Sequence, residues 1–414
     1  MTNNKYMSTS ANQQHMVKKL VTFLTTRAQY ARIKTVLLGL QRSPEFSLEV
    51  VLSGGATVHD YGDLRPVLEG DGVDIDHELT NLLDGGSPVA QAKTTGLELI
   101  EYSSVINRSD ADALILTGDR FETMAATLAA SYQNVPVCHF EGGEITGSVD
   151  DKVRHATTKM SDYHFVSTER SEKIVRSLGE HPDTIYRTGC PSIDIAAEIE
   201  QNRADNYDPQ EEYGGVGDRV NVDEPYIVVQ YHPIPTKYQS NYEKTRSLVN
   251  AVDKSDVNVF WFWPNMDAGT DQVSKAIREY REAESPDGVR FFINLEPEDY
   301  LTLVSNAACV VGNSSVGIRE CSYFGTPVVN VGSRQSNRER GPNVVDVECE
   351  MLAIKEALRS QIEHGEYDSS FIYGSGEASS KIIDVLSSIT FERKDPMSPE
   401  QIGIQPEVKD SSAR

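Results

Sequence analysis

Acidic side chains crowd one segment in the first half of the chain, HFEGGEITGSVDDKVRHATTK at 139–159. Its ionisable residues include Glu141, Glu144, Asp150, Asp151, Arg154 and His155. Neighbouring carboxylates raise one another's pKa values. The crowding therefore predicts general acid–base chemistry. Gly142, Gly143 and Gly147 would let the backbone approach a ligand closely.

Two further groups are predicted to follow strands. In GDRFE, Asp119 and Arg120 come after a strand and should point into a cleft, because open α/β sheets bind ligands at the carboxyl ends of their strands. Glu122 lies in the first turn of the next helix, where the helix dipole also favours a carboxylate. In TRAQY, Arg27 stands at a strand-to-helix junction, which suits a diphosphate.

Candidates for binding a phosphate lie in the second half of the chain. The segment GNSSVGIRE places two serines at a helix start, where hydroxyl and N–H groups bind phosphate, although an ordinary N-cap is the alternative. Its glycine would admit a ligand, and its glutamate would accept ribose hydroxyls. The predicted binding residues here are Ser314, Ser315, Gly317, Glu320 and Arg334, while His232 and Asn265 stand in similar loops just past strands. Arg338 and Arg340 add positive charge to an acidic chain, which indicates an anion site.

Alternating strands and helices must position these groups. Apolar runs and helical stretches alternate through 17–200, and the alternation restarts after a polar, glycine-rich segment at 200–224. This pattern predicts an α/β protein with two doubly wound Rossmann-like domains, 17–200 and 222–375, and a ligand cleft between them. The polar ends, 1–16 and 391–414, are predicted to be a disordered leader and a tail.

Composition excludes several classes of partner. The 414 residues include 63 acidic and 39 basic side chains, so the net charge of −24 argues against nucleic acid and against an anionic membrane surface. No apolar run approaches the roughly 20 residues of a membrane-spanning helix. The five cysteines lack C-x-x-C spacing, which favours reduced thiols in the cytoplasm. The sequence has no zinc-ligand spacing, so no metal site is predicted. It also has neither a P-loop nor the G-x-G-x-x-G motif of dinucleotide-binding domains.

Taken together, the motifs resemble those of the hydrolysing UDP-N-acetylglucosamine 2-epimerases, which serve sialic or legionaminic acid synthesis. The resemblance runs from about residue 17 to about residue 390. It rests on TRAQY, GDR-x-E, H-x-EGGE-x-TG-x-x-D, RH-x-x-TK, PN-x-DAG, GNSS-x-G-x-RE, FGTPV-N and G-x-RQ-x-x-R. One position departs from the family pattern, since Gln29 stands where an acid is usual.

The resemblance implies a glycosyltransferase-B-like fold whose C-terminal helix, 376–390, packs back on the first domain. It implies anti elimination of UDP from UDP-N-acetylglucosamine to a 2-acetamidoglucal, followed by addition of water to give N-acetylmannosamine. The implied catalytic acids are Asp119, Glu141 and Asp150, oriented by Arg154 and His155. Implied ligands of the diphosphate are Arg27, His232, Ser314, Ser315 and Arg334, with Glu320 on the ribose. No cofactor is implied, and the expected assembly is a homodimer or homotetramer.

Three other interpretations remain open at this point. The same reaction could act on a nucleotide-linked 2,4-diacetamido sugar, and the motifs do not separate the two substrates. A B-type glycosyltransferase would leave the EGGE carboxylates without a task. A non-catalytic sensor of nucleotide sugars would retain its function after Asp119→Asn.

Overall fold

The first half of the chain forms a parallel sheet. The computed structural model describes residues 17–59, 62–83, 87–147, 150–203, 207–234, 239–255, 257–264 and 269–394. The strands of the first sheet within these ranges are β1 (Lys18–Leu24), β2 (Phe46–Leu52), β3 (His77–Glu78), β4 (Ala113–Thr117), β5 (Val137–Phe140), β6 (Tyr163–Val166) and β7 (Ile185–Arg187). Their order is β3-β2-β1-β4-β5-β6-β7, and every pairing is parallel.

A second sheet follows with the same architecture. Its strands in the described ranges are β8 (Val216–Gly217), β9 (Tyr226–Gln230), β10 (Asn258–Phe262), β11 (Val289–Phe292), β12 (Cys309–Gly312), β13 (Val328–Val331) and β14 (Val344–Val347). Their order is β14-β13-β12-β9-β10-β11-β8, with β8 alone antiparallel. Central strands such as β9 are largely buried because helices cover both faces of a parallel sheet.

Helices connect the strands and cover the sheets. Those in the described residues are α1 (Arg27–Arg42), α2 (Arg65–Gly70), α3 (Pro88–Ser109), α4 (Phe121–Tyr132), α5 (Asp150–Met160), α6 (Glu169–Ser177), α7 (Ser192–Gln201), α8 (Pro209–Tyr213), α9 (Asn241–Asp253), α10 (Thr270–Glu279), α11 (Pro297–Ser305), α12 (Glu320–Phe324), α13 (Met351–His364) and α14 (Ala378–Ser388). Within the described part of the chain, none of them combines the length and apolarity needed to cross a bilayer.

The predicted fold class, two doubly wound α/β sheets, is confirmed. The polar, glycine-rich segment between the two alternating regions contributes α8 and the edge strand β8. Arg290 of β11 donates to the backbone oxygens of Gly214 and Gly217 at 2.8 and 2.6 Å. A Cβ atom on Gly217 would lie 2.4 Å from the oxygen of Val289, so only glycine fits at this edge.

The C-terminal helix α14 packs on the first half of the chain. Its Ile382 and Leu386 are buried in the core of the first sheet, and Ile383 packs against that core. The approach to α1 is close, since a Cβ atom on Gly39 would lie 2.2 Å from Cδ1 of Ile383. The chain thus crosses back from the second half, and α14 ties the two halves together.

Charged groups of the first half hold both ends of α14. Asp194 accepts hydrogen bonds from the backbone N–H groups of Ala378 and Ser379 at 2.8 and 2.7 Å. Lys18 Nζ donates to three carbonyl oxygens at the other end, including those of Leu386 and Ile389, both at 2.8 Å. A carboxylate at the N-terminus and an ammonium at the C-terminus complement the helix dipole and satisfy its free polar groups.

Replacing Asp194 with alanine should therefore lower the free energy of unfolding by about 1–2 kcal/mol, the usual cost of losing a helix cap. Denaturant titration followed by circular dichroism measures this change. Asp183→Ala is the matched control, because that side chain is 88% exposed. Equal stabilities for the two variants would contradict the capping role.

Candidate active site

The predicted acid–base groups lie where two neighbouring strands end. Asp119 follows β4 and Glu141 follows β5, so both stand at the same edge of the parallel sheet. His139 links the two strand ends, with Nε2 2.8 Å from the oxygen of Gly118 and Nδ1 3.1 Å from Oγ1 of Thr158. Burial lowers the pKa of His139 to about 4, so this imidazole is neutral at pH 7 and positions the backbone before Asp119.

Arg154 of α5 holds Asp119. The Arg154 guanidinium is 1% exposed, and its Nη2 contacts Oδ2 of Asp119. Its Nη1 donates to the backbone oxygen of Glu144 at 2.7 Å and to Asp151 at 2.6 Å. Asp151 in turn accepts from the backbone N–H of Thr146 at 2.9 Å. Arg154 is therefore a buried link between loop and strand and does not line the cavity between the two halves.

Asp150 and His155 also belong to α5. Asp150 is its first residue and is partly exposed, at the helix end where the dipole favours a carboxylate. Among the described residues, Nδ1 of His155 has no hydrogen-bond partner. Burial and then the charge of Arg154 lower the pKa of His155. The predicted orienting role of His155 stays a prediction.

Arginines, rather than other carboxylates, control the charge of Glu141. Arg319 donates to both of its oxygens at 2.9 and 3.2 Å, and Arg32 donates to Oε2 at 2.7 Å. Burial raises the pKa of Glu141, but Arg319, Arg32 and Arg338 outweigh it and lower the pKa to about 2. The expectation that the crowded acids raise each other's pKa values is thus wrong for Glu141, because each half supplies cations.

The three arginines that are predicted to bind an anion have different environments in the structure. Arg338 is buried and pairs with Oε2 of Glu144 at 2.7 Å. Arg340 pairs with Asp346 at 2.7 Å. Of these three arginines, Arg334 lines the central cavity. The basic segment therefore serves mainly as a structural contact and contributes one guanidinium to the cavity.

A cavity of about 560 Å³ lies between the two halves and gathers most of the predicted binding residues. Those that line it are Arg27, Arg120, His232, Ser314, Ser315, Glu320 and Arg334. Asn265 falls outside the described residues. Arg32 also lines the cavity, and because it donates to Glu141, it joins the cavity to the carboxylates behind it.

Glu320 lines the cavity and carries a buried acceptor oxygen. The residue is 6% exposed, and within the described chain its Oε2 has no hydrogen-bond partner. A buried oxygen without a donor costs about 1–3 kcal/mol, a penalty that a ligand hydroxyl would remove. The position therefore suits a ligand that brings hydroxyl donors, such as a ribose.

Asn313 organises the loop around this part of the cavity. Its Oδ1 accepts from the backbone N–H of His232 at 2.7 Å, and its Nδ2 donates to the backbone oxygen of His232 at 2.9 Å. Its own backbone oxygen accepts from Arg334 at 3.1 Å. Sequence reasoning did not single out Asn313, although its place directly before the serine pair was visible.

Two predicted binding residues, Glu122 and Gly317, make structural contacts outside the cavity. Glu122 is buried and pairs with Arg120 at 3.0 Å, so it orients a cavity arginine without lining the cavity. A Cβ atom on Gly317 would lie 3.0 Å from Cγ1 of Val328, so the glycine is explained by packing on β13 rather than by ligand approach. Neither residue lines the cavity.

The departure at Gln29 has a simple structural consequence. Its Oε1 accepts from the backbone N–H of Thr25 at 2.8 Å and from the Thr25 hydroxyl at 3.0 Å. Thr26 caps the same helix by accepting from the N–H of Gln29 at 3.1 Å. An amide oxygen can fill this acceptor role as a carboxylate would, so the first turn of α1 keeps its cap.

Two arginines near Glu141, Arg32 and Arg319, are missing from the residues predicted from the sequence. Arg32 lies on a helix whose spacing gives no sign of its partner. Arg319 carried one signal, a cation inside the apolar stretch VGIRECSYF, which requires a buried partner. The identity of that partner could not be read, because Glu141 is 178 positions away.

The low pKa of Glu141 makes stability depend on pH. Its folded pKa of about 2 lies below the ordinary value of 4.5, so its stabilising contribution is complete above about pH 4.5 and is lost as the pH falls toward 2. The free energy of unfolding of Glu141→Gln should therefore fall less steeply between about pH 5 and about pH 3 than that of the unmodified chain. Denaturant titrations across these pH values measure the slopes, and parallel slopes would contradict the assignment.

Comparisons with known proteins agree on one family. Residues 39–387 match the family model described as UDP-N-acetylglucosamine 2-epimerase. A UDP-N,N'-diacetylbacillosamine 2-epimerase (hydrolysing) of Legionella pneumophila is 32% identical over 374 residues, which cover 90% of this chain and 97% of that protein. A UDP-N-acetylglucosamine 2-epimerase of Neisseria meningitidis serogroup B is 26% identical over 361 residues, covering 87% and 92%.

Solved structures share the fold at low sequence identity. The UDP-GlcNAc 2-epimerase from Neisseria meningitidis bound to UDP-GlcNAc superposes with a TM-score of 0.71 at 19% identity, covering 89% of this chain and 99% of that one. The Methanocaldococcus jannaschii UDP-GlcNAc 2-epimerase in complex with UDP-GlcNAc and UDP gives 0.72 at 16% identity, with the same coverage.

Proposed function

The chain belongs to the UDP-N-acetylglucosamine 2-epimerase family, and we propose that it is a hydrolysing 2-epimerase of a UDP-linked 2-acetamido sugar. The observation that carries the proposal is the cavity between the halves. At its second-half side, Ser314, Ser315 and Glu320 suit a nucleoside diphosphate. At its first-half side, Arg32 donates a hydrogen bond to Glu141, one of the carboxylates proposed for the reaction.

The chemistry explains why the site needs both cations and carboxylates. The C2 proton of the sugar has no adjacent carbonyl and is weakly acidic, so cleavage of the C1–O bond must lead, with oxocarbenium character. UDP leaves with the C1–O electron pair while a carboxylate takes the C2 proton, which gives the 2-acetamidoglucal. Water then adds at C1, and a proton returns to the opposite face of C2. The products are UDP and the free C2 epimer.

We assign the candidate groups as follows. Arg27, His232 and Arg334 would stabilise the charge that develops on the departing diphosphate. Asp119 and Asp150 are the candidates for proton transfer. With a pKa of about 2, Glu141 is a poor proton donor and a weak base at neutral pH, so it would serve mainly as a fixed carboxylate.

Two substrates are candidates. UDP-N-acetylglucosamine is the first, and UDP-N,N'-diacetylbacillosamine is the second. The second is favoured by the name of the Legionella relative, which is 32% identical over nearly its whole length. The two sugars differ at C4 and C6, away from the reacting carbons, so the same acid–base residues would serve either substrate.

Product analysis in deuterated water tests the proposal. Incubation with each sugar nucleotide should release UDP and a free sugar with inverted C2 that carries one deuterium at C2. Comparing kcat/KM for the two nucleotides identifies the substrate. UDP release with an unlabelled sugar would contradict the elimination mechanism, and transfer of the sugar to an added acceptor would favour a glycosyltransferase.

A further inference from the structure

Two consecutive residues of the second half face two different parts of the site. Glu320 lines the cavity, whereas the side chain of Arg319 is 1% exposed and reaches the carboxylates of the first half. Both follow directly from the turn that carries Ser314 and Ser315, and the N–H of Arg319 donates to the backbone oxygen of Ser315 at 3.0 Å. A short, rigid stretch of backbone thus connects the predicted nucleotide ligands to Glu141.

The contact between Arg319 and Glu141 has a demanding geometry. The guanidinium donates to Oε1 and Oε2 of Glu141 at 2.9 and 3.2 Å, and its Nη2 also donates to Oε2 of Glu144 at 2.8 Å. A planar guanidinium fixes both the position and the plane of a carboxylate, which an ammonium cannot do. Glu141 also adopts a left-handed backbone conformation, with φ of 63°, which is uncommon for a residue other than glycine.

We propose that Arg319 is a positioning residue that fixes the orientation of Glu141 from the half that carries the predicted nucleotide ligands. The inference rests on the proposed function and deepens it, because it explains how the half that holds the leaving group influences the half that performs the proton chemistry. Arg319 acts through Glu141 and does not itself line the cavity.

Other charged and titratable groups face Glu141 from each neighbouring element. They are Arg32 of α1, His139 of β5, Cys190 after β7, Glu320 of α12 and Arg338 after β13. Arg32 and the thiol of Cys190, 3.4 Å from Oε1, belong to the same half as Glu141. Among the described residues of the second half, Arg319 is the one that hydrogen-bonds to Glu141. Removing Arg319 therefore raises the pKa of Glu141 and frees its orientation.

The experiment compares Arg319→Gln and Arg319→Lys with Lys34→Met. Lys34 is the matched control, because its Nζ also bridges the halves, to Asp71 at 2.8 Å and Glu298 at 2.6 Å, without contacting Glu141. Thermal unfolding establishes that each variant is folded. Steady-state kinetics from pH 5 to pH 8 give kcat and KM. Fluorescence of Trp263, which lines the cavity, gives the affinity for UDP.

We expect Arg319→Gln to lower kcat about 100-fold at pH 7, within the range of a misplaced acid–base group, and to leave KM and UDP affinity within about threefold. The ratio of kcat at pH 7 to kcat at pH 5 should exceed that of the unmodified enzyme, because loss of the Arg319 charge raises the pKa of Glu141. The kcat of Arg319→Lys should lie between those of Arg319→Gln and the unmodified enzyme. Lys34→Met should keep the pH profile of the unmodified enzyme.

An unchanged pH profile in Arg319→Gln would overturn this role, whatever the loss of kcat, because a merely structural residue would lower kcat without moving the profile. Should Arg319→Gln fail to fold, Arg319→Lys decides by kcat, because lysine keeps the charge but loses the two-point contact; an unchanged kcat in that variant would overturn the positioning role. Failure of the proposed function gives a different result, since the unmodified enzyme would then release UDP from neither sugar nucleotide.

Discussion

Asp119→Asn should lower the rate of UDP release about 1,000-fold while leaving UDP affinity unchanged within about threefold. The asparagine keeps the shape of the side chain, and its oxygen can still accept from Arg154, so the local structure should survive. It can no longer take or return a proton at neutral pH. Steady-state kinetics with the better sugar nucleotide and Trp263 fluorescence with UDP measure the two quantities.

The control for this variant is Asp110→Asn, whose side chain is 90% exposed and lies in the same half. It should retain full activity. Retained turnover in Asp119→Asn would remove the residue from proton transfer, whereas UDP binding without turnover in the unmodified chain would favour a non-catalytic sensor. Loss of UDP affinity would instead mean that Asp119 shapes the nucleotide site.

Sequence periodicity predicts the fold well where strands are apolar and fully buried. β4 and β9 are short aliphatic runs between polar turns, and this is the pattern of a parallel strand covered on both faces. Prediction from periodicity is weaker at the edges of the sheets. β3 and β8 have two residues each and no apolar pattern, so only their pairing with β2 and β11 defines them as strands.

The candidate site was partly predictable for a related reason. The carboxyl ends of parallel strands lie at one edge, so a residue that follows a strand has a predictable place, as Asp119, Glu141 and His232 do. Whether such a residue lines the cavity depends on its partners. Glu122 turns toward Arg120 and Arg338 turns toward Glu144, and neither pairing has a signature in local sequence.

Apart from the packing of the C-terminal helix, the side-chain contacts between the halves could not be predicted. Arg319 and Glu141 are 178 positions apart, and their encounter depends on how the two sheets face each other. The sequence showed an excess of acids and suggested carboxylates with raised pKa values. In the structure, arginines from both halves surround these acids, so Glu141 has a lowered pKa instead.

The same cluster implies a large effect on stability. Oε2 of Glu144 accepts from Arg319 and pairs with Arg338 at 2.8 and 2.7 Å, and all three side chains are at least 95% buried from solvent. Glu144→Gln keeps the shape but leaves two buried cations with one carboxylate fewer. The expected loss is about 3–5 kcal/mol in the free energy of unfolding, the usual cost of removing one partner from a buried ion pair.

Denaturant titration measures this loss against Glu169→Gln, an exposed glutamate paired with Lys173 that should cost less than about 1 kcal/mol. The double variant Glu144→Gln/Arg338→Met removes a cation together with the carboxylate, so it should recover part of the loss, because the destabilisation comes from the uncompensated charge. Additive losses would mean that Arg338 is not coupled to Glu144. A cost as small as that of the control would mean that water reaches the cluster, and the halves would then be held together mainly by α14.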